Sequence, residues 1–326
     1  MLVPDKLTLR SPKFKDKLRS RLLYWQHYNR LRLLPPLTPA QEEVVNTLRK
    51  EGCSILPGFI KPPVLKQLQN ELKSALENLH FAMPTLAQSR INSEHHRDLI
   101  DNFMYGTPQQ LKSWGVTFEH HEAKSYNQVV RDFNPSTLSV PMLNISETYR
   151  QVWLDPFILS VVSHYLGMVP SLAEAYVRRN FPAPHRTMNH YWHRDLNSMH
   201  LVKMFVFLSD CEVENGPHEY IRKTHYRNDI LNGKRYFSDE EVNALYPEGS
   251  SDRAVSIVKA GTVVLEDTHG LHRARLPITG NRDLGFAVYM PTRPLYSHQN
   301  YTFPRSALSS LTPFQRAFVP NSMLTN

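Results

Sequence analysis

The sequence predicts an α+β protein in which N-terminal helices pack on an antiparallel, jelly-roll core built by the C-terminal half. Two observations carry this. Helical periods dominate the first half of the chain, whereas short β-rich runs broken by Pro, Asn and Gly fill the second. Residues of metal-ligating type sit on or beside those later runs at distant points of the chain, as they do where separate strands meet at a barrel mouth.

The elements follow in order. "SPKFKDKLRSRLLYWQHYNRLRLL" reads as a basic amphipathic helix, because Phe14, Leu18, Leu22 and Trp25 recur at helical spacing. "PPLTP" stops it, which sets off an arm over 1–37. Its apolar stripe predicts packing on the body. The stretch 38–168 reads as mainly helical. Thr38 with Gln41 and Glu42 suits a capped start, and that helix closes at Gly52 before a short strand in "SILPGFI". "PPVLKQLQNELKSALENLHFAM" reads as a further helix, with Pro62 or Pro63 at its start. "LNISETYRQVWLDPFILSVVSHYLG" reads as helix ending at Gly167. The core is expected over 169–295, with strands in "LAEAYVRRNF", "HLVKMFVFLSDC", "AVSIVKA", "GTVVLEDT" and "LGFAVYMP". A tail over 296–326 has no clear period and is expected to wrap the body.

Composition narrows the function. The chain has 326 residues, 41% of them hydrophobic, ample for a buried core. No apolar run is long enough for a transmembrane segment, and the basic N-terminus lacks the pattern of a secretory signal. Two cysteines, Cys53 and Cys211, predict no disulfide framework and a cytoplasmic location. The net charge of +8 is concentrated in residues 1–40, where nine Lys and Arg face two Asp. The remainder carries 29 basic against 28 acidic residues, so the near-neutral body argues against a nucleic-acid partner. The oligomeric state is not legible.

The chemistry concentrates in "NHYWHRDLN". His193 and Asp195 lie two apart, so on a strand both point to one face and offer a nitrogen and a carboxylate oxygen to one ion. A third ligand is needed, and His269 and His272 in "LEDTHGLHRA" are both candidates. Two histidines and one carboxylate form the facial triad of non-haem Fe(II) oxygenases. Arg282 follows in the next β run and is a carboxylate-binding candidate, since a guanidinium fork matches a carboxylate. Lys203, on the strand after the His-x-Asp pair, is in reach of either the keto acid or the substrate. Of Arg178 and Arg179, alternation turns one inward. Trp192 beside the site suits core packing better than substrate contact, and both roles stay open.

"HYWHRD", "FLSDCEVENGPHEYIRKTH", "AGTVVLEDTHGLHRA" and "GNRDLGFAVYM" together resemble the phytanoyl-CoA dioxygenase (PhyH-like) family, over about 170 to 292. The resemblance implies a double-stranded β-helix core and a dioxygenase that uses Fe(II), 2-oxoglutarate and O2 on a small metabolite or natural-product intermediate. It implies His193, Asp195 and His272 as metal ligands, with His269 the runner-up, because Arg282 stands ten residues after His272. It places Arg282 on 2-oxoglutarate; from their positions, Lys203 is a further candidate for the co-substrate and Arg178 and Trp192 are candidates for substrate. Halogenating relatives carry Gly or Ala where Asp195 stands, so a hydroxylase is implied. The alternatives are a metal cupin enzyme independent of 2-oxoglutarate and a non-catalytic jelly-roll binding protein. Lys223 stands where the family commonly has Gly, which predicts an altered loop.

Overall fold

The computed structural model describes residues 29–84, 121–183, 186, 188–195, 198, 201–226, 235–290 and 302–325. The stripe of Phe14, Leu18, Leu22 and Trp25 lies outside these. The strands are β1 (Cys53–Leu56), β2 (His80–Pro84), β3 (His121–Ser125), β4 (Thr137–Val140), β5 (Ser171–Asn180), β6 (Trp192–His193), β7 (Val202–Phe207), β8 (His218–Ile221), β9 (Tyr236–Phe237), β10 (Arg253–Val255), β11 (Val263–Glu266), β12 (His272–Ala274), β13 (Arg282–Met290), β14 (Phe303–Pro304) and β15 (Leu324–Thr325). The principal helices are α1 (Pro39–Glu51), α2 (Pro62–Asn78), α3 (Tyr126–Phe133), α4 (Met142–Ile145), α5 (Glu147–Trp153), α6 (Pro156–Leu166) and α7 (Asp239–Leu245).

Local signals set the helix ends. Thr38 and Gln41 cap each other reciprocally, and Gly52 at φ 81° closes α1. The stretch expected as one helix before Gly167 is three. Ser146 accepts from Tyr149 N and restarts the chain as α5. Asp155 accepts from Phe157 N and Ile158 N, with Pro156 at the first turn of α6. Each cap offers the backbone an alternative to continuing the preceding helix.

Two antiparallel sheets face each other. The larger has the order β1-β11-β7-β13-β5-β4 and the smaller β10-β8-β12-β6-β9. The larger sheet therefore takes β1 and β4 from the helical first half. The run "AVSIVKA" contributes only Arg253–Val255.

Register decides what each face carries. Across the larger sheet, Glu266 pairs with Lys203, Lys203 with Val288 and Val288 with Glu174. The next row on the same face is Phe205, Phe286 and Tyr176, followed by Leu284 with Arg178, then Arg282 with Asn180. Phe205 stacks near His218 of the smaller sheet, so this face looks inward. The opposite face carries Val177, Met204, Val206, Leu265 and Ala287, which share one core with Val45, Leu48, Leu68, Trp153 and Leu159 of the helices. Each such side chain contributes on the order of 1.5–3 kcal/mol when fully buried. Tyr289 fastens sheet to helix by donating to Trp153 O at 2.6 Å.

The smaller sheet alternates likewise. His193, His272 and His218 fall on its inner face, and Trp192, Ile221, Phe237 and Arg273 on its outer one. Trp192 is fully buried there among Ile221, Phe237, Val242 and Leu271, with the Arg273 and Arg253 guanidiniums 4.5 and 5.3 Å from its ring. The strand that turns His193 inward turns its neighbour outward, so Trp192 is placed away from the chamber between the sheets.

Candidate metal centre

His193 ends β6 and His272 opens β12, and the two are register partners. Asp195 follows β6 with its backbone N–H donating to Thr268 O at 2.9 Å. Ligand atoms of His193, Asp195 and His272 all lie within 4.8 Å of one another, and all three residues are buried. Each histidine is oriented by a carbonyl two residues before it. Nδ1 of His193 meets Tyr191 O at 2.8 Å, and Nδ1 of His272 meets Gly270 O at 2.9 Å. A carbonyl only accepts, so each Nδ1 donates to its carbonyl and Nε2 is the ring nitrogen turned toward the site. Gly270 serves this turn for a steric reason, since a Cβ there would run into the Tyr220 ring.

The electrostatics suit a cation. Burial, reinforced by the neighbouring His272, holds the His193 imidazole well below its ordinary pKa and hence neutral. Burial works against the charged form of Asp195, but the Lys203 ammonium and the His272 ring outweigh it and hold the carboxyl well below the usual range. Two imidazoles and one carboxylate, with no further carboxylate or thiolate in the group, form the donor set of a facial-triad site.

His269 is not brought into that set. Its Nδ1 lies 2.8 Å from Asp267 Oδ1 and its Nε2 2.6 Å from Ser198 O. Both partners are acceptors, so both ring nitrogens donate and the ring is an imidazolium. Burial opposes this, but the hydrogen bond and charge of Asp267 prevail and raise its pKa.

Lys203 lies on the inner face with Nζ 2.5 Å from Asp195 Oδ2 and 5.2 Å from the centre of the Phe286 ring. Asp195 Oδ2 is also 3.3 Å from His272 Nε2. Arg282, at the start of β13, is almost completely buried. Its Nε and Nη1 find no acceptor among the described residues. Burial, with the like charge of Arg178 nearby, brings the guanidinium down to about 10. Two orphaned donors on a buried cation are costly unless an anion arrives. A carboxylate fits that fork. Of the Arg178 and Arg179 pair, Arg178 turns inward, donating to Tyr176 Oη at 2.7 Å and lying over Phe286 at 5.2 Å. Arg179 turns outward to Asp283, with two bonds of 2.7 Å.

Two features of the chamber wall escape sequence reading. His218 Nε2 and Glu266 Oε2, one from each sheet, meet at 2.8 Å in the interior. Glu174 shares the row of Glu266 and Lys203. Alternation hints at the facing of each residue, but cross-strand register is what brings them together. Lys223 adopts φ 64°, the left-handed region that favours glycine, and its N–H donates to Glu51 O at 2.9 Å. The loop thus keeps a glycine-type turn despite the lysine.

Comparisons agree with this architecture. Residues 48–280 match the family model described as phytanoyl-CoA dioxygenase (PhyH). Among solved structures, the epimerase SnoN, in complex with Fe3+, alpha ketoglutarate and nogalamycin RO, aligns with TM-score 0.50 and 16% identity, covering 77% of this chain and 83% of its own. HygX from Streptomyces hygroscopicus, with nickel, 2-oxoglutarate and hygromycin B bound, aligns with TM-score 0.45 and 18% identity over 78% of this chain and 88% of its own. Comparison with curated proteins gives no match. No helix among the described residues is long and apolar enough to cross a membrane. A jelly roll with a His-Asp-His cluster between its sheets, matched by the family model over most of its length, belongs to the phytanoyl-CoA dioxygenase (PhyH) family.

Proposed function

We propose that the protein is an Fe(II)- and 2-oxoglutarate-dependent oxygenase that oxidises a C–H bond of a small molecule, releasing succinate and CO2. The observation that carries this reading is the clustering of ligand atoms of His193, Asp195 and His272 within 4.8 Å of one another, with the unpaired Nε and Nη1 of Arg282 on the same inner wall. His193, Asp195 and His272 would hold Fe(II) and leave open positions for a bidentate keto acid and O2. When bound, iron with 2-oxoglutarate and O2 supplies the oxidising power. The chain's own residues do the rest. Arg282 pairs with the distal carboxylate of 2-oxoglutarate, Lys203 offers a second cation beside Asp195, and Phe205, Phe286 and Tyr176 exclude water between them. Arg178 lies inward, over the Tyr176 and Phe286 rings, on the wall that bound ligand would face. The Asp195 carboxylate occupies the position that halogenating relatives leave open, which favours hydroxylation.

The test is anaerobic loading with Fe(II) and 2-oxoglutarate, then O2-dependent succinate release in the presence of a metabolite library. His193→Ala, Asp195→Ala and His272→Ala are expected to lose metal binding, and His269→Ala to keep it. Metal retained by His272→Ala and lost by His269→Ala would refute the ligand set.

A further inference from the structure

Among the described residues, three carboxylates lie in the chamber between the sheets, and two of them are matched. Asp195 has Lys203 at 2.5 Å and His272 at 3.3 Å. Glu266 has His218 at 2.8 Å. The third, Glu174, is 7% exposed and has neither a hydrogen bond nor an ion pair with any described residue. It sits on the same cross-strand row as Lys203, with Val288 between them. Two strand spacings put its backbone roughly 10 Å from that of Lys203. The nearest inward cation on its own strand, Arg178, donates to Tyr176 Oη and lies over the Tyr176 and Phe286 rings.

A carboxylate on a largely buried side chain with no counter-charge from the protein contributes little to the fold, which leaves it open to a ligand. The co-substrate proposed above cannot be that use, because it is a dianion. Its distal carboxylate goes to Arg282, six residues further along β13 from Val288, or roughly 20 Å along the strand. The inner wall is thus sorted by charge, with the Arg282 cation toward one end and the Glu174 carboxylate, in the row of Lys203, toward the other.

We infer that Glu174 is the anchor for a cationic group of the substrate, an ammonium or guanidinium, so that the enzyme acts on a small organic amine. This rests on the metal-site reading above. The ion pair would form inside the chamber, where it is screened less than at the surface. It would fix the substrate at one point and leave a neighbouring C–H toward the metal. Like-charge repulsion at the same place would disfavour acidic substrates and keep a second dicarboxylate from binding there.

The probes are three six-carbon ligands, hexylamine, hexanol and hexanoate, offered at neutral pH to the full chain loaded with Mn2+ and 2-oxoglutarate. The readout is the paramagnetic relaxation of their protons. Hexylammonium is expected to be relaxed about fivefold more strongly than hexanoate, and to fall to the level of hexanol in Glu174→Gln. No preference for hexylammonium, or a preference that survives Glu174→Gln, overturns the inference. A second measurement needs no metal. Removing an unmatched buried charge should raise the thermal midpoint of the metal-free protein by about 2 °C in Glu174→Gln and Glu174→Leu. A fall of that size would mean that Glu174 has a structural partner, and overturns the inference as well. Electron paramagnetic resonance of Mn2+ separates the two readings. If Mn2+ does not bind, the metal reading fails, and hexylamine stabilisation of the metal-free wild type but not of Glu174→Gln decides on Glu174 alone.

Discussion

Replacing Lys203 with methionine should make the metal bind more tightly, although Lys203 lies at the centre of the site. Its ammonium stands 2.5 Å from Asp195 Oδ2, the oxygen closest to His272 Nε2. A divalent ion bonded to that carboxylate would lie roughly 4 Å from Nζ. At an effective dielectric near 20, a unit-charge pair at that distance is worth about 4 kcal/mol, so a divalent ion would be repelled by about 8 kcal/mol. That figure is a ceiling, because a four-carbon stem lets the ammonium swing aside. Couplings between neighbouring sites usually settle at about 1–3 kcal/mol, or roughly 5- to 150-fold in affinity. A dianionic co-substrate would draw the ammonium off Asp195, so wild-type protein should bind metal more tightly with 2-oxoglutarate present, and 2-oxoglutarate more tightly with metal present, by the same factor. Lys203→Met keeps the unbranched apolar stem and removes the ammonium, tightens metal alone and loses much of that coupling. Calorimetric titration of Mn2+ with and without 2-oxoglutarate measures all four corners of the cycle. Weaker Mn2+ binding by Lys203→Met, with its circular dichroism unchanged, would refute the argument.

Other outcomes follow from the same geometry. The raised pKa of His269 means that its bonds to Asp267 and Ser198 stabilise the fold fully below the unfolded value near 6.5, and that this stability is lost as pH rises through the higher folded value. Urea denaturation of wild type should show that decline above neutrality, and His269→Asn should lack it while still binding Mn2+. Arg282→Ala is expected to weaken 2-oxoglutarate by roughly 30- to 5000-fold, equivalent to about 2–5 kcal/mol, in equilibrium binding to the Mn2+-loaded protein. An unchanged dissociation constant would remove Arg282 from the co-substrate site. Trp192→Ala should cost roughly 3–5 kcal/mol of stability through the emptied outer core, read by urea denaturation, and leave the affinity of 2-oxoglutarate unaltered.

The parts of this molecule that are local in sequence were legible from it. The Thr38 cap, the Gly52 and Gly167 stops and the spacing of His193 and Asp195 depend on residues a turn or two apart, where propensity and alternation act directly. The choice between His269 and His272 was different. Both lie in one short turn, and only the acceptors around His269, one of them Ser198 O far back in the chain, show which ring is free. The row of Glu266, Lys203, Val288 and Glu174 draws on four strands spread over more than a hundred residues. No window along the chain contains it. The three-part helix before Gly167 was missed for the opposite reason, since its apolar period runs on through capping residues that interrupt it.

The shortness of β6 has a consequence for how this chain can change. It is two residues long, one facing the chamber and one facing the outer core, and it is held by one register pair to β12 and two to β9. Losing or gaining one codon just before it would slip the frame of that strand against its neighbours. An indole would then be aimed at the metal ligands and an imidazole driven among Ile221, Phe237 and Leu271. Both sheets would lose at once, so an indel there has no intermediate cost. Insertions that preserve activity should therefore occur elsewhere or come in pairs, and a deletion scan from 186 to 195 should show an odd–even alternation in soluble yield.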